Sequence, residues 1–143
     1  MSRCDEIDVL NRLLRTLCRS LAMYVREAQP WTPPGHEAAV AAMGQLAADQ
    51  EHYVARVAAA IQQCGGRPET GAFPLRFTAI NDLSADYLLS ALAEHHGRDL
   101  LQIEACAAEL AGLPELCALA EEIAGNARGH AEILARLLTQ TRA

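Results

Sequence analysis

Three side chains in this sequence have the donor types and spacing to hold a metal ion. His96 and Asp99 stand three apart, so a helix would put both on one face, and His130 lies in a second segment of helical apolar pattern. Two imidazoles, a carboxylate and a water make a four-coordinate site for one zinc-like divalent ion. His95 and Asp99, four apart, offer another geometry for the same ion. Without a metal, the same residues read as a polar layer in an apolar core. Asp99 would orient a histidine, Gln50 would join the layer, and Tyr24 and Tyr53 would lie near it. Such layers are satisfied by mutual hydrogen bonds and trapped water.

Other chemistries find little support. Ser2, Ser20, Ser84 and Ser90 have no nucleophile-elbow context. Gly65-Gly66 lacks the Gly-Lys pair of a phosphate loop. All 12 basic residues are arginine, which excludes Schiff-base and lysine-base chemistry. Cys106 falls near the core-facing edge of its helix and reads as a small buried hydrophobe. The 5 cysteines include no C-x-x-C pair, so they are expected as free thiols in a reducing compartment.

The elements that must position these side chains are helices. With 51% apolar residues, only 4% aromatic and abundant alanine, the composition suits close helix packing in one domain, 1–143. A net charge of −6 without a basic run excludes nucleic acid as an expected partner. No apolar run is long enough to span a bilayer and the N-terminus lacks signal-peptide form, so a cytoplasmic protein is expected.

Four helical segments are expected, at about 5–29, 35–64, 84–111 and 114–141. The first carries Ile7, Leu10, Leu14, Leu17, Leu21 and Val25 on one face. The second carries Val40, Met43, Leu46, Val54, Val57 and Ile61. The third has Leu89, Leu92, His96, Asp99, Ile103 and Leu110, and the fourth Leu119, Ile123, Ala127, His130 and Leu134. Thr32 with Pro33, and Ser84, are candidate helix starts. Cys64-Gly65-Gly66-Arg67-Pro68 is a helix stop. Residues 65–83 then form a long crossover that can run back along the bundle. The expected fold is all-α: two antiparallel helical hairpins joined by one long crossover.

On these residues the chain resembles the ferritin-like superfamily, bacterioferritins and rubrerythrins included. Leu10-Asn11-Arg12-Leu13-Leu14 and Ser20-Leu21-Ala22-Met23-Tyr24 follow the bacterioferritin spacing. Gly65-Gly66-Arg67-Pro68 is similar to the family's second-helix exit, and Arg128-Gly129-His130 to its Glu-Gly-His. The resemblance implies a ferritin-like four-helix bundle with two metal ions held by one Glu from each of two helices and Glu-x-x-His from the other two.

The corresponding positions here read Leu17, Gln50, Tyr53, His96, Ala127 and His130. None is a carboxylate. Asp49 and His52 mimic the motif, but His52 lies nearly opposite the apolar stripe and Asp49 at its border. Glu94 has the bacterioferritin spacing to Gly97 but points outward. Two divalent ions need bridging carboxylates, so ferroxidase-type chemistry is not expected.

The expected function is a ferritin-like binding or structural module without a di-iron carboxylate site, enzyme activity undecided and no cofactor required. The alternative is a metal-binding protein or enzyme with one divalent ion on His96, Asp99 and His130. A third expectation is a small-ligand pocket left where metals would sit. A homodimer is expected through Tyr87, Leu101 and Ala105 of the third helix together with the alanine-rich outer face of the second.

Overall fold

The structure is a computed structural model that describes residues 2–28, 37–73 and 85–142. Five helices form the bundle: α1 (Arg3–Cys18), α2 (Leu21–Ala28), α3 (Glu37–Gln63), α4 (Ala85–Glu109) and α5 (Pro114–Arg142). There is no strand among the described residues. The expected helix starts at Thr32–Pro33 and Ser84, and the crossover beyond Phe73, lie outside the described residues.

The first expected helix is two. Ser2 opens α1 with a capping box: its hydroxyl accepts from the Asp5 amide at 3.2 Å, and the Asp5 carboxylate accepts from the Ser2 amide. The helix closes at Arg19, and Ser20 starts again as the cap of α2, its Oγ accepting from the Met23 amide at 3.2 Å. Apolar periodicity runs through this break, with Leu17 and Leu21 both buried, so the leucine spacing alone conceals it.

The α1–α2 pair lies beside α3 and α4, and α5 lies beside α4 and α3. That leaves α3 and α4 at opposite corners. Two apolar clusters fill the interior. The first joins α1 and the end of α3 (Leu10, Leu14, Ile61) to the end of α4 and the start of α5 (Leu110, Ile123). The second joins α2 and the start of α3 (Leu21, Met43) to the start of α4 and the end of α5 (Leu89, Leu134). Thus α3 and α4 both run from the second cluster to the first. They are parallel, and the chain must cross the bundle's length between them.

The first stretch of that crossover is stitched to α1. Gly65, at φ 83°, ends α3 in a Schellman motif, with Gly66 N–H donating to the Ile61 carbonyl at 2.9 Å. A Cβ on Gly66 would come within 2.8 Å of the Ile7 side chain, so the strap leaves close against α1. The buried Asn11 then reads the strap backbone twice, donating to the Arg67 carbonyl at 3.1 Å and accepting from the Glu69 amide at 2.8 Å. Further on, Arg19 Nε donates to the Thr70 carbonyl, and Phe73 meets Tyr24 edge to face at 5.3 Å.

Candidate functional site

Between the two apolar clusters lies a polar layer. Gln50 is placed by α3, His96 by α4, His130 by α5, and Ser20 by the break between α1 and α2; all four are buried. The helical stripe brings Gln50 and His96 inward among leucines, as the periodicity predicts. Ser20 Oγ donates to Gln50 Oε1 at 2.6 Å. A hydroxyl that caps a helix thus also satisfies a buried amide from a second helix.

His96 Nε2 lies 2.8 Å from the Ala127 carbonyl oxygen. A carbonyl only accepts, so this nitrogen carries the proton. In the neutral ring Nδ1 is then an acceptor, and it is buried without a hydrogen-bond partner in the protein. Burial pushes the His96 imidazole below its ordinary pKa; the Ala127 carbonyl opposes that and the nearby His130 adds to it. The His96 and His130 rings stand 6.5 Å apart, edge to face.

His130 does have a carboxylate partner, and it is Asp49. His130 Nε2 donates to Asp49 Oδ2 at 2.7 Å. Asn126 Nδ2 donates to the same oxygen at 3.0 Å, and Gln45 Nε2 to Oδ1 at 2.9 Å. Burial pushes the Asp49 carboxyl up, but the bonds from Asn126, His130 and Gln45 together hold it below its ordinary value. Asp99 is a half-buried residue of α4, whereas Asp49 crosses from α3 to α5. Its place at the stripe's border lets it reach the border of the neighbouring helix.

One turn along this α3–α5 seam, Tyr53 donates its hydroxyl to Glu122 at 2.9 Å, and Arg56 pairs with the same carboxylate. Burial, followed by the bond to Glu122, raises the Tyr53 phenol above its ordinary pKa. The seam is therefore a polar ladder: Asp49 and Tyr53 are four apart on α3, and Glu122, Asn126 and His130 are each four apart on α5. His52 and Glu94 are exposed, as expected, and Glu94 pairs with Arg98.

Leu17, Gln50, Tyr53, His96 and Ala127 line one small cavity together with Leu46, Ile103, Ile123 and Asn126. Five of the six positions singled out by the sequence resemblance thus line one cavity, and His130 is not part of that lining. The cavity measures about 10 Å³, room for a single water. That corrects the expectation of a small-ligand pocket. The donor set does not fit a pair of divalent ions, which requires several anionic oxygens. Among the described residues, no group of three or more His, Cys, Asp or Glu is placed to hold a metal ion.

Sequence reasoning missed Ser20 and Asn126 as members of the layer and rejected Asp49. Asn126 and His130 form one ridge of polar groups at the edge of α5, and such a ridge calls for an acceptor from the adjacent helix.

No family model matches this chain, and no curated protein matches it. Among solved structures, a ferritin-like, diiron-carboxylate protein from Bacillus anthracis str. Ames aligns with a TM-score of 0.78. The alignment covers 96% of this chain and 99% of that one, at 23% identity. The fold is ferritin-like. Within it, the break at Ser20 leaves α1 and α2 to share the place of one long helix. No helix among the described residues is long and apolar enough to cross a membrane.

Proposed function

We propose that this ferritin-like chain has lost the di-iron carboxylate site and serves as a non-catalytic binding or structural module. One observation carries the reading. At mid-bundle, where the resemblance places two metals, there are Leu17, Ala127 and a one-water cavity bounded by side chains that hydrogen-bond to protein. Burying two divalent cations there without compensating anions is strongly unfavourable. The solved ferritin-like protein is described as diiron-carboxylate.

The competing reading is one divalent ion on His96, Asp99 and His130. It is disfavoured because no group of three or more His, Cys, Asp or Glu among the described residues is placed to hold a metal ion. The same experiment separates the two. The purified chain is incubated with iron(II) or zinc, desalted and analysed for metal. The proposed reading expects far less than one ion per chain; a stoichiometric ion lost in His130→Ala would overturn it.

The module is proposed to be a cytoplasmic homodimer. The free thiols favour a reducing compartment. Tyr87 and Leu101 are 56% and 67% exposed on α4. Because α3 and α4 sit at opposite corners, the alanine-rich face of α3 is a separate surface. A symmetric dimer would use one of the two. Light scattering at micromolar concentration checks it, and a monomer throughout would remove the dimer.

A further inference from the structure

We infer that the mid-bundle cavity is a hydration site for one long-lived water, which joins Gln50 of α3 to His96 of α4 across the diagonal of the bundle. Two independent observations meet there. The cavity measures about 10 Å³, the size of one water. His96 lines it and keeps a buried Nδ1 with no hydrogen-bond partner in the protein. Nε2 donates to the Ala127 carbonyl at 2.8 Å, so in the neutral ring Nδ1 is an acceptor and calls for a donor. A buried acceptor left without one is costly.

The chemistry of the walls selects water. An organic ligand exceeds the volume. Among the described residues no carboxylate lines the cavity, so a cation would find no compensating charge. Walls of Leu17, Leu46, Ile103 and Ile123 alone would keep so small a space dry. Polar groups from three helices change that. Gln50 commits Oε1 to the Ser20 hydroxyl at 2.6 Å, which leaves Nε2 to donate to the water. Asn126, also in the lining, commits Nδ2 to the Asp49 carboxylate, which leaves Oδ1 to accept. With His96 Nδ1 the water has three partners, the usual number for a buried one.

The water completes a chain of hydrogen bonds that runs one way through the bundle. Ser20, at the break between α1 and α2, donates to Gln50 on α3. Gln50 donates to the water, the water donates to His96 on α4, and His96 donates to the Ala127 carbonyl on α5. Each inner member accepts at one end and donates at the other, so successive bonds polarise one another in the same sense. The residues on either side of the water come from helices at opposite corners. It therefore ties the hairpin ending in α3 to the hairpin of α4 and α5 from inside the core.

This inference rests on the reading of the layer as hydrogen-bonded and metal-free. Metal analysis of the same samples distinguishes failure of that reading from failure of the hydration site. The test is magnetic relaxation dispersion of water oxygen, which counts water molecules held longer than the tumbling time of the protein. The full chain is compared with His96→Phe, which keeps a ring but offers no acceptor. Wild type should hold one more long-lived water than the variant, and equal counts would overturn the site. If His96→Phe does not fold, imidazole nitrogen NMR of wild type at neutral pH decides. Hydration requires a proton on Nε2 and, at Nδ1, the shift of a hydrogen-bonded acceptor; the shift of a bare lone pair overturns it. A high-resolution crystal structure should show one water within hydrogen-bond reach of Nδ1 and the Gln50 amide, and a cavity without density would refute it.

Discussion

Asp49 and His130 join α3 to α5 through a 2.7 Å hydrogen bond, with Asn126 donating to the same carboxylate oxygen. The His130 side chain is 8% exposed and that of Asp49 28%, so the bond is only partly screened by solvent. Asp49→Ala should destabilise the bundle by about 2 kcal/mol, because it orphans donors on His130 and Asn126. In a double-mutant cycle with His130→Ala, urea unfolding should give a coupling of about 1 kcal/mol. Additive losses would show that the contact contributes nothing of its own.

The same carboxylate makes the stability of the bundle depend on acid. Its folded pKa is depressed, so its contribution is complete above the unfolded value of about 3.9 and is lost as pH falls through the folded one. The stability gap between wild type and Asp49→Asn should therefore be flat from pH 7 to about 5 and shrink below about 4. Urea midpoints along this series check it. A gap that grows on acidification would contradict the assignment.

Ser20 does two jobs with one hydroxyl. It caps α2 through the Met23 amide and donates to buried Gln50. Ser20→Ala removes both and leaves the Gln50 carbonyl oxygen without its donor, at a cost of about 2 kcal/mol. Thermal or urea unfolding that moves by less than about 0.5 kcal/mol, the level of an ordinary surface change, would refute this role.

Gly71 sits at φ 70°, and a Cβ there would meet the Arg19 guanidinium at 1.5 Å. Gly71→Ala should cost about 1–2 kcal/mol, combining backbone strain with displacement of Arg19 from Thr70. In an Arg19→Ala background the same change should cost less, since only the backbone part remains. An equal penalty in both backgrounds would mean that the two residues do not interact.

Much of the fold was legible because apolar spacing reports which face of a helix is buried. Periodicity places Leu17, Gln50, His96 and Ala127 on inward faces, the family resemblance adds Tyr53, and all five line one cavity. What spacing does not report is which helix stands next to which. Asp49 sat at the border of its stripe, and whether a border residue is wasted on solvent or used depends on its neighbour. With α5 beside α3, the border of one helix meets the border of the other. The break at Ser20 was concealed for a different reason. A serine cap competes with the helix through its hydroxyl, while the leucines on either side keep the same face inward.

The ladder of Asp49 and Tyr53 against Glu122, Asn126 and His130 also bears on how the two hairpins find each other. Leucine and alanine faces tolerate sliding, because one apolar turn substitutes well for the next. The α3–α5 contacts do not. Displacing one hairpin by a turn would set Tyr53 or Asp49 against the wrong partner and leave a half-buried carboxylate and a buried imidazole unmatched. These polar residues would then determine the translational register of the hairpins, choosing one docked arrangement from several that the apolar faces would accept almost equally.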